Sequence, residues 1–322
     1  MLKKQIIIGI ETSCDDTSIG IVSNNKLLVN VTTTSLTLYK KYGGIVPELA
    51  ARSHCSNIDK TFKIALDKAK ISINDISYIA YTSNPGLVGS LHVGKVFANQ
   101  LAKLINKPII KINHMFGHIF SYFVDHDIKK LQFPLITMVV SGGHTFIARV
   151  ENIDKITYLN ETVDDAVGEV LDKIGRYLSL DYPGGLAIDK IYNPKKTISL
   201  IPNAPVDAKF SFSGIKTACL NKINSYNMQH QQVPTVCLAS SSLEWVTNDL
   251  IRKLLHYLSS YQDTKIVLIG GGVSANKLLR KKLSKIHFIP IYLPTLKYTN
   301  DNGAMIATYA KLLINQRKSK YS

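Results

Sequence analysis

Acidic residues are in short supply in this chain: 23 Asp and Glu stand against 39 Lys and Arg, a net charge of +16 over 322 residues. That imbalance favours polyanionic partners. The excess is nearly all lysine, and compositional drift toward isoleucine, asparagine and lysine accounts for it equally well. Cysteine is scarcer. Cys14, Cys55, Cys219 and Cys237 are scattered, with no CxxC pair, which excludes a regular disulfide framework and points to reduced thiols that serve packing. Long apolar runs are missing as well. The opening MLKKQIIIGIE meets Glu11 and Asp15 after a very short run, so neither a signal peptide nor a membrane span fits, and a cytoplasmic protein without membrane association is expected. The absence of GxxxxGK[ST] excludes a P-loop enzyme. The absence of HExxH argues against a zincin-type peptidase.

What is present is a globular composition, 45% hydrophobic and 19% charged, long enough for two domains. QIIIGIE, SIGIV and KLLVNVTTT read as a three-strand meander broken at Thr12 to Asp16. A helix is expected from Pro47 to Lys70, a buried strand in DISYIAYTSN, a helix from Val93 to Ile105, a strand in PIIKI and a further helix from near Asn113. The pattern restarts near Phe133: PLITMVV, the turn SGGH, TFIARV and KITYLNE repeat the opening. A long helix follows over Val233 to Ser260, then the strand KIVLIGG, a helix from Ser274 to Lys285, a strand in HFIPIYLP and a last helix from Asp301 to Ile314. Internal duplication fixes architecture. The expectation is an α/β chain of two lobes, residues 1–130 and 131–322, the second with a helical insertion. Each lobe has a mixed sheet under helices, and the strand-to-strand turns face a cleft between the lobes. That plan is similar to the actin, hexokinase and Hsp70 ATPase group.

His114 and His118 are spaced HxxxH, so on a helix both imidazoles share a face and can reach one metal ion. Two histidines need a third, anionic ligand. Asp301 is a candidate, but it stands just before a helix, where aspartate commonly caps the N-terminus. Three glycine-rich turns could approach phosphate closely: Ser141-Gly142-Gly143-His144 between strands, Pro183-Gly184-Gly185, and Gly270-Gly271-Gly272 through Asn276, which follows a strand and opens a helix. Glu11 ends the first strand in ETSCDD. It is either a cleft-facing carboxylate or part of a solvated turn. Asp164, Asp165, Glu169 and Asp172 lie at one helix start, where some of them serve only as favourable charges.

Taken together, GIETSCDDTSIGIV, GGIVPELAARSH, NPGLVGSLHVG, NHMFGH, VVSGGHT, DDAVGEVLDKIGRYLSLDYPGG, FSFSGIKT, GGGVSAN and NDNGAMIA resemble the TsaD family of tRNA threonylcarbamoyltransferases, once described as O-sialoglycoprotein endopeptidases. The resemblance spans essentially the whole chain. It implies the actin-like ATPase (ASKHA) fold, with duplicated ribonuclease H-like lobes. It also implies transfer of threonylcarbamoyl from threonylcarbamoyl-AMP to the N6 amine of the adenosine 3′ to the anticodon, in tRNAs reading ANN codons. By resemblance His114, His118 and Asp301 match metal ligands, for Fe2+ or Zn2+. Val139, Val140, Ser141, Gly142, Gly143, Asp172, Gly185, Asp189 and Asn276 match positions that hold the adenylate. Glu11 falls in the N-terminal motif and is the candidate catalytic base. TsaB and TsaE are the implied protein partners. Archaeal and eukaryotic relatives carry a metal-binding Tyr where this chain has Val139. Two rival functions are a metal-dependent glycoprotein endopeptidase and a non-catalytic nucleotide-binding scaffold.

Overall fold

A computed structural model describes residues 5–24, 26–35, 39, 42 and 44–319. The opening Met1 to Lys4, and Gly43 of the GGIVPELAARSH motif, lie outside the described residues. In chain order the elements are β1 (Ile6–Glu11), β2 (Thr17–Ser23), β3 (Lys26–Thr33), α1 (Pro47–Ala69), β4 (Tyr78–Asn84), α2 (Val88–Ile105), β5 (Ile109–Asn113) and α3 (His114–Ile119). There follow β6 (Leu135–Val140), β7 (Thr145–Asn152), β8 (Lys155–Glu161), α4 (Val167–Tyr177), α5 (Gly184–Ile191), α6 (Ser213–Met228) and α7 (Thr235–Ser260). The last are β9 (Ile266–Gly270), α8 (Lys277–Leu283), β10 (Ile291–Tyr292) and α9 (Gly303–Ser319).

The chain divides into two compact units, residues 1–131 with 293–322, and residues 132–292. Their sheets share one plan. The first has the order β3-β2-β1-β4-β5 and the second β8-β7-β6-β9-β10. In both, the meander strands pair antiparallel and the two later strands add in parallel. The duplication expected from the repeated strand pattern is therefore present strand for strand. β1 and β6 are fully buried, as central strands covered on both faces must be, and this is why they read as continuous apolar runs.

One division differs from the sequence reading. Residues 293–322 belong with the first unit, not the second. The reason is steric. A Cβ on Gly9 would lie 2.2 Å from the Gly303 carbonyl oxygen, and one on Gly20 would lie 2.2 Å from the Ala304 amide. Glycines in β1 and β2 thus let the start of α9 lie directly on the first sheet. Polar groups complete the seat: Ser18 Oγ accepts from Gly303 N and Asn30 Oδ1 from Ala304 N, each at 2.9 Å.

Smaller differences have local causes. α2 starts at Val88, five residues before the expected Val93, because the chain turns at Pro85–Gly86 and Thr12 Oγ donates to the Ser90 carbonyl at 2.9 Å. HFIPIYLP contributes only Ile291–Tyr292 as strand; Pro290 has no N–H to give a ladder. The expected helix from Ser274 splits into a 3₁₀ turn, Gly272–Ala275, and α8, capped by Asn276, whose Oδ1 accepts from Leu279 N at 2.9 Å. α4 begins at Val167, so Asp164 and Asp165 precede it. Asp164 instead gathers the segment 211–213, accepting from Ser211 Oγ and Ser213 Oγ at 2.6 Å and from Phe212 N at 2.8 Å. Asp165 pairs with Lys173 at 2.7 Å and with Lys216.

Candidate metal centre and glycine turns

In the first unit, β5 runs into α3 without a loop, and the Asn113 side chain caps the helix by accepting from Met115 N at 2.8 Å. His114 and His118 then sit one turn apart, with ring centroids 4.6 Å apart and planes at 81°. Gly117 lies between them, and a Cβ there would be 3.1 Å from Met305 and Ile306 side-chain carbons. α3 therefore packs closely on α9 and brings both rings to the residue two places ahead of that helix.

That residue is Asp301. Its Oδ1 lies 3.1 Å from His118 Nε2 and 3.4 Å from His114 Nε2. The helix cap is supplied by its neighbour: Asn302 Oδ1 accepts from Met305 N at 2.9 Å. The cap, open for Asp301 from sequence, is thus made by Asn302, and the Asp301 carboxylate is left directed at the two imidazoles. One ligand atom from each of His114, His118 and Asp301 lies within 4.8 Å of the others.

Glu11 closes the set from β1. It is fully buried, and its Oε2 accepts from His114 Nδ1 at 3.0 Å and from the Thr82 hydroxyl, while Oε1 accepts from Ser13 N at 2.6 Å. Ser13 Oγ lies 3.2 Å from the same His114 nitrogen. His114 is thus gripped at Nδ1 and presents Nε2 to Asp301. Burial alone would lower its pKa, but Glu11 and Asp301 together outweigh that and raise it to about 10. The same attraction overcomes the burial of both carboxyls and holds Glu11 and Asp301 below their ordinary values, each through His114. His118 Nδ1 is buried with no hydrogen-bond partner among the described residues.

The donor set suits a divalent ion. Two imidazole nitrogens and one carboxylate oxygen converge with positions left over, the arrangement used by iron(II) and catalytic zinc sites. The Glu11 carboxylate behind His114 is the outer contact such histidines usually have. Sequence reasoning missed Ser13, Thr82 and His54. His54 is fully buried and ties down the ETSCDD turn, with Nδ1 2.7 Å from Thr17 Oγ1 and Nε2 3.0 Å from the Cys14 carbonyl. The only available signal for His54 was its place in the PELAARSH motif.

The second unit gathers the glycine turns. Ser141 N donates to the His144 carbonyl at 2.8 Å and closes the turn between β6 and β7. Among the described residues nothing lies within 4 Å of a Cβ placed on Gly142 or Gly143, so on that side their backbone is uncovered, while Gly168 packs against Gly142 from another. Val139 and Val140, grouped with this turn from sequence, have fully buried side chains in β6; only their backbone can take part. Gly271 has φ +88°, and a Cβ there would lie 2.3 Å from the Val140 carbonyl oxygen, so only glycine fits that position. The remaining residues pair through α5. Asp172 Oδ1 accepts from Gly185 N at 2.9 Å, and Asp189 Oδ1 accepts from Asn276 Nδ2 at 2.9 Å. Burial raises both carboxyls above their ordinary values.

Residues 26–308 match the TsaD family, tRNA N6-adenosine threonylcarbamoyltransferase. The chain belongs to this family. Proteins of that name from Ureaplasma urealyticum serovar 10 and Mycoplasma pneumoniae are 44% and 40% identical to it, over 99% and 97% of this chain and 98% of each relative. One from Thermosipho africanus is 43% identical over 94% of this chain and 92% of its own length. Among solved structures, HypF from T. kodakarensis aligns with TM-score 0.63 at 13% identity, over 98% of this chain and 48% of that one. The Acidaminococcus fermentans (R)-2-hydroxyglutaryl-CoA dehydratase component A aligns with TM-score 0.54 at 12% identity, over 96% and 99%. At such identities these likenesses speak to fold alone, and with the duplicated sheets they establish the actin-like ATPase fold.

Proposed function

We propose that this TsaD-family chain transfers the threonylcarbamoyl group of threonylcarbamoyl-AMP to the N6 amine of the adenosine 3′ to the anticodon, in tRNAs reading ANN codons. The N6 nitrogen bonds to the carbamoyl carbon, the bond from that carbon to the phosphate oxygen breaks, AMP leaves, and the amine loses one proton. Family membership at 40–45% identity over nearly the whole chain carries this reading.

His114, His118 and Asp301 would hold one Fe2+ or Zn2+. When bound, the ion supplies Lewis acidity toward a carbonyl or phosphate oxygen of the adenylate. Glu11 orients His114. Its burial, and the bonds it already accepts from Thr82, Ser13 and His114, favour that positioning role over the general-base role considered from sequence. In the second unit, the Ser141–Gly143 turn offers bare backbone to the adenylate. Asp172 with Gly185, and Asp189 with Asn276, keep α4, α5 and α8 in register around it. The chain's task is chiefly to hold two substrates in reacting order.

The family resemblance supplies TsaB and TsaE as protein partners and the cytoplasm as the setting. No helix among the described residues is long and apolar enough to cross a membrane. The test is reconstitution: the chain, TsaB, TsaE, threonylcarbamoyl-AMP and an ANN-reading tRNA should yield threonylcarbamoyladenosine. Cleavage of a glycoprotein, or nucleotide binding with no transfer, would replace this reading with one of its rivals.

A further inference from the structure

β5 is the open edge of the first sheet, and its register with β4 sets Tyr81 beside Lys111. Alternation puts Ile79, Tyr81 and Ser83 of β4 on one face, together with Ile109 and Lys111 of β5. Ile79, Tyr81 and Ile109 are part of the apolar core that α1 and α2 cover. Lys111 therefore occupies a helix-side position on an edge strand, where the pattern calls for an apolar residue. In place of packed core there is a pocket of about 360 Å³, with Tyr81, Ser83 and Leu91 in its lining and His92, Lys95 and Lys111 around them.

The charge of this pocket has one sign. No carboxylate lines it, Lys95 and Lys111 are exposed, and neither ammonium has an ion-pair or hydrogen-bond partner among the described residues. The larger groove between α1 and α2, which shares His92, differs: Asp59 and Asp67 stand beside Lys63 there, and its walls are mostly apolar. Tyr81 is only 2% exposed. Tyr81 lines the smaller pocket, and its hydroxyl has no hydrogen-bond partner among the described residues, and so has a donor to give. Two unpaired ammonium groups and a free phenolic donor around a concave surface are the chemistry of a phosphate seat.

We propose that this pocket receives a backbone phosphate of the tRNA substrate, with Lys95 and Lys111 as its cations and the Tyr81 hydroxyl as a donor. The proposal rests on the tRNA reading above. It accounts for an exposed lysine on the helix side of the sheet that packing does not explain, and it gives part of the +16 charge a place to act. Contacts of this kind fix position on the nucleic acid and carry no base information, so their loss weakens all tRNAs alike.

The experiment is a salt titration of tRNA binding to the full chain, comparing wild type with the double variant Lys95→Ala/Lys111→Ala and with Tyr81→Phe. Both lysines are exposed, so the double variant should keep the wild-type thermal melt. The slope of log affinity on log salt should fall by roughly one, about tenfold weaker binding near ~0.1 M salt. Tyr81→Phe should weaken binding less and leave the slope unchanged. Adenylate binding should be the same in all three. If wild type forms threonylcarbamoyladenosine yet the double variant binds tRNA with unchanged affinity and slope, the pocket assignment falls and the function stands. If wild type binds no tRNA at any salt, both fall. If inorganic phosphate binds at the pocket while tRNA affinity is equal in all three proteins, the site belongs to a small ion and the RNA proposal is overturned.

Discussion

The two units carry the same strand order but fill the same turn with opposite chemistry. Between β1 and β2 the chain reads ETSCDD, and Glu11 turns inward onto His114. Between β6 and β7 it reads SGGH, and the side-chain positions of both glycines are open space. One turn assembles charge and buried hydrogen bonds; the other removes side chains. A duplicated scaffold thus supplies two equivalent positions, and function resides in the residues grafted there. The difference predicts that damage to the first turn's network should strike metal binding, and damage to the second unit's turns should strike folding and adenylate binding.

The largest effect should come from the proposed metal ligands. His118→Ala or Asp301→Ala should abolish tight divalent-ion binding, seen by calorimetry, and lower transfer by more than about a hundredfold. A second-unit variant that lost metal equally would erase the contrast. Glu11→Gln comes next. It keeps the shape of the side chain but weakens the grip on His114 Nδ1, and metal affinity should fall roughly 10- to 100-fold. If Glu11 were instead the general base, metal affinity would hold while the acidic limb of the pH–rate profile disappeared.

In the second unit, Gly271→Ala forces a side chain into positive φ and against the Val140 carbonyl. It should destabilise the protein by about 2 kcal/mol, read as a lower melting temperature, with metal stoichiometry unchanged. A pH effect is smaller. His114 in the metal-free protein is raised to about 10, above its ordinary value. Its ion pairs therefore stabilise the fold fully below about pH 6.5, and that contribution is lost as pH rises through about 10. An entering ion must displace a proton from His114, so its affinity should rise about tenfold per pH unit between pH 7 and 9. A flat profile would contradict either the raised pKa of His114 or its place among the proposed ligands.

Much of the fold was legible because continuous apolar runs and helical patterns are strong in this chain, as in QIIIGIE and in the helix from Pro47. The two histidines were legible for the same reason, since four-residue spacing on a helix implies a shared face. Asp301 was not. Its role depended on whether it or Asn302 capped α9, a matter of one residue that spacing does not decide. Thr82 and Ser13 were invisible because their partner Glu11 meets them through a sheet and a tight turn. The start of α9 on the first sheet was hidden too, since it follows from Gly9 and Gly20, whose reason is the helix lying against them.

The most direct measurement is reconstitution with metal-free protein. The chain is stripped with chelator without oxygen, then assayed with TsaB, TsaE, threonylcarbamoyl-AMP and tRNA before and after adding one equivalent of Fe2+. The account predicts no threonylcarbamoyladenosine before addition and restored formation after it, for the wild type but not for His118→Ala. Full transfer by the stripped protein would contradict it.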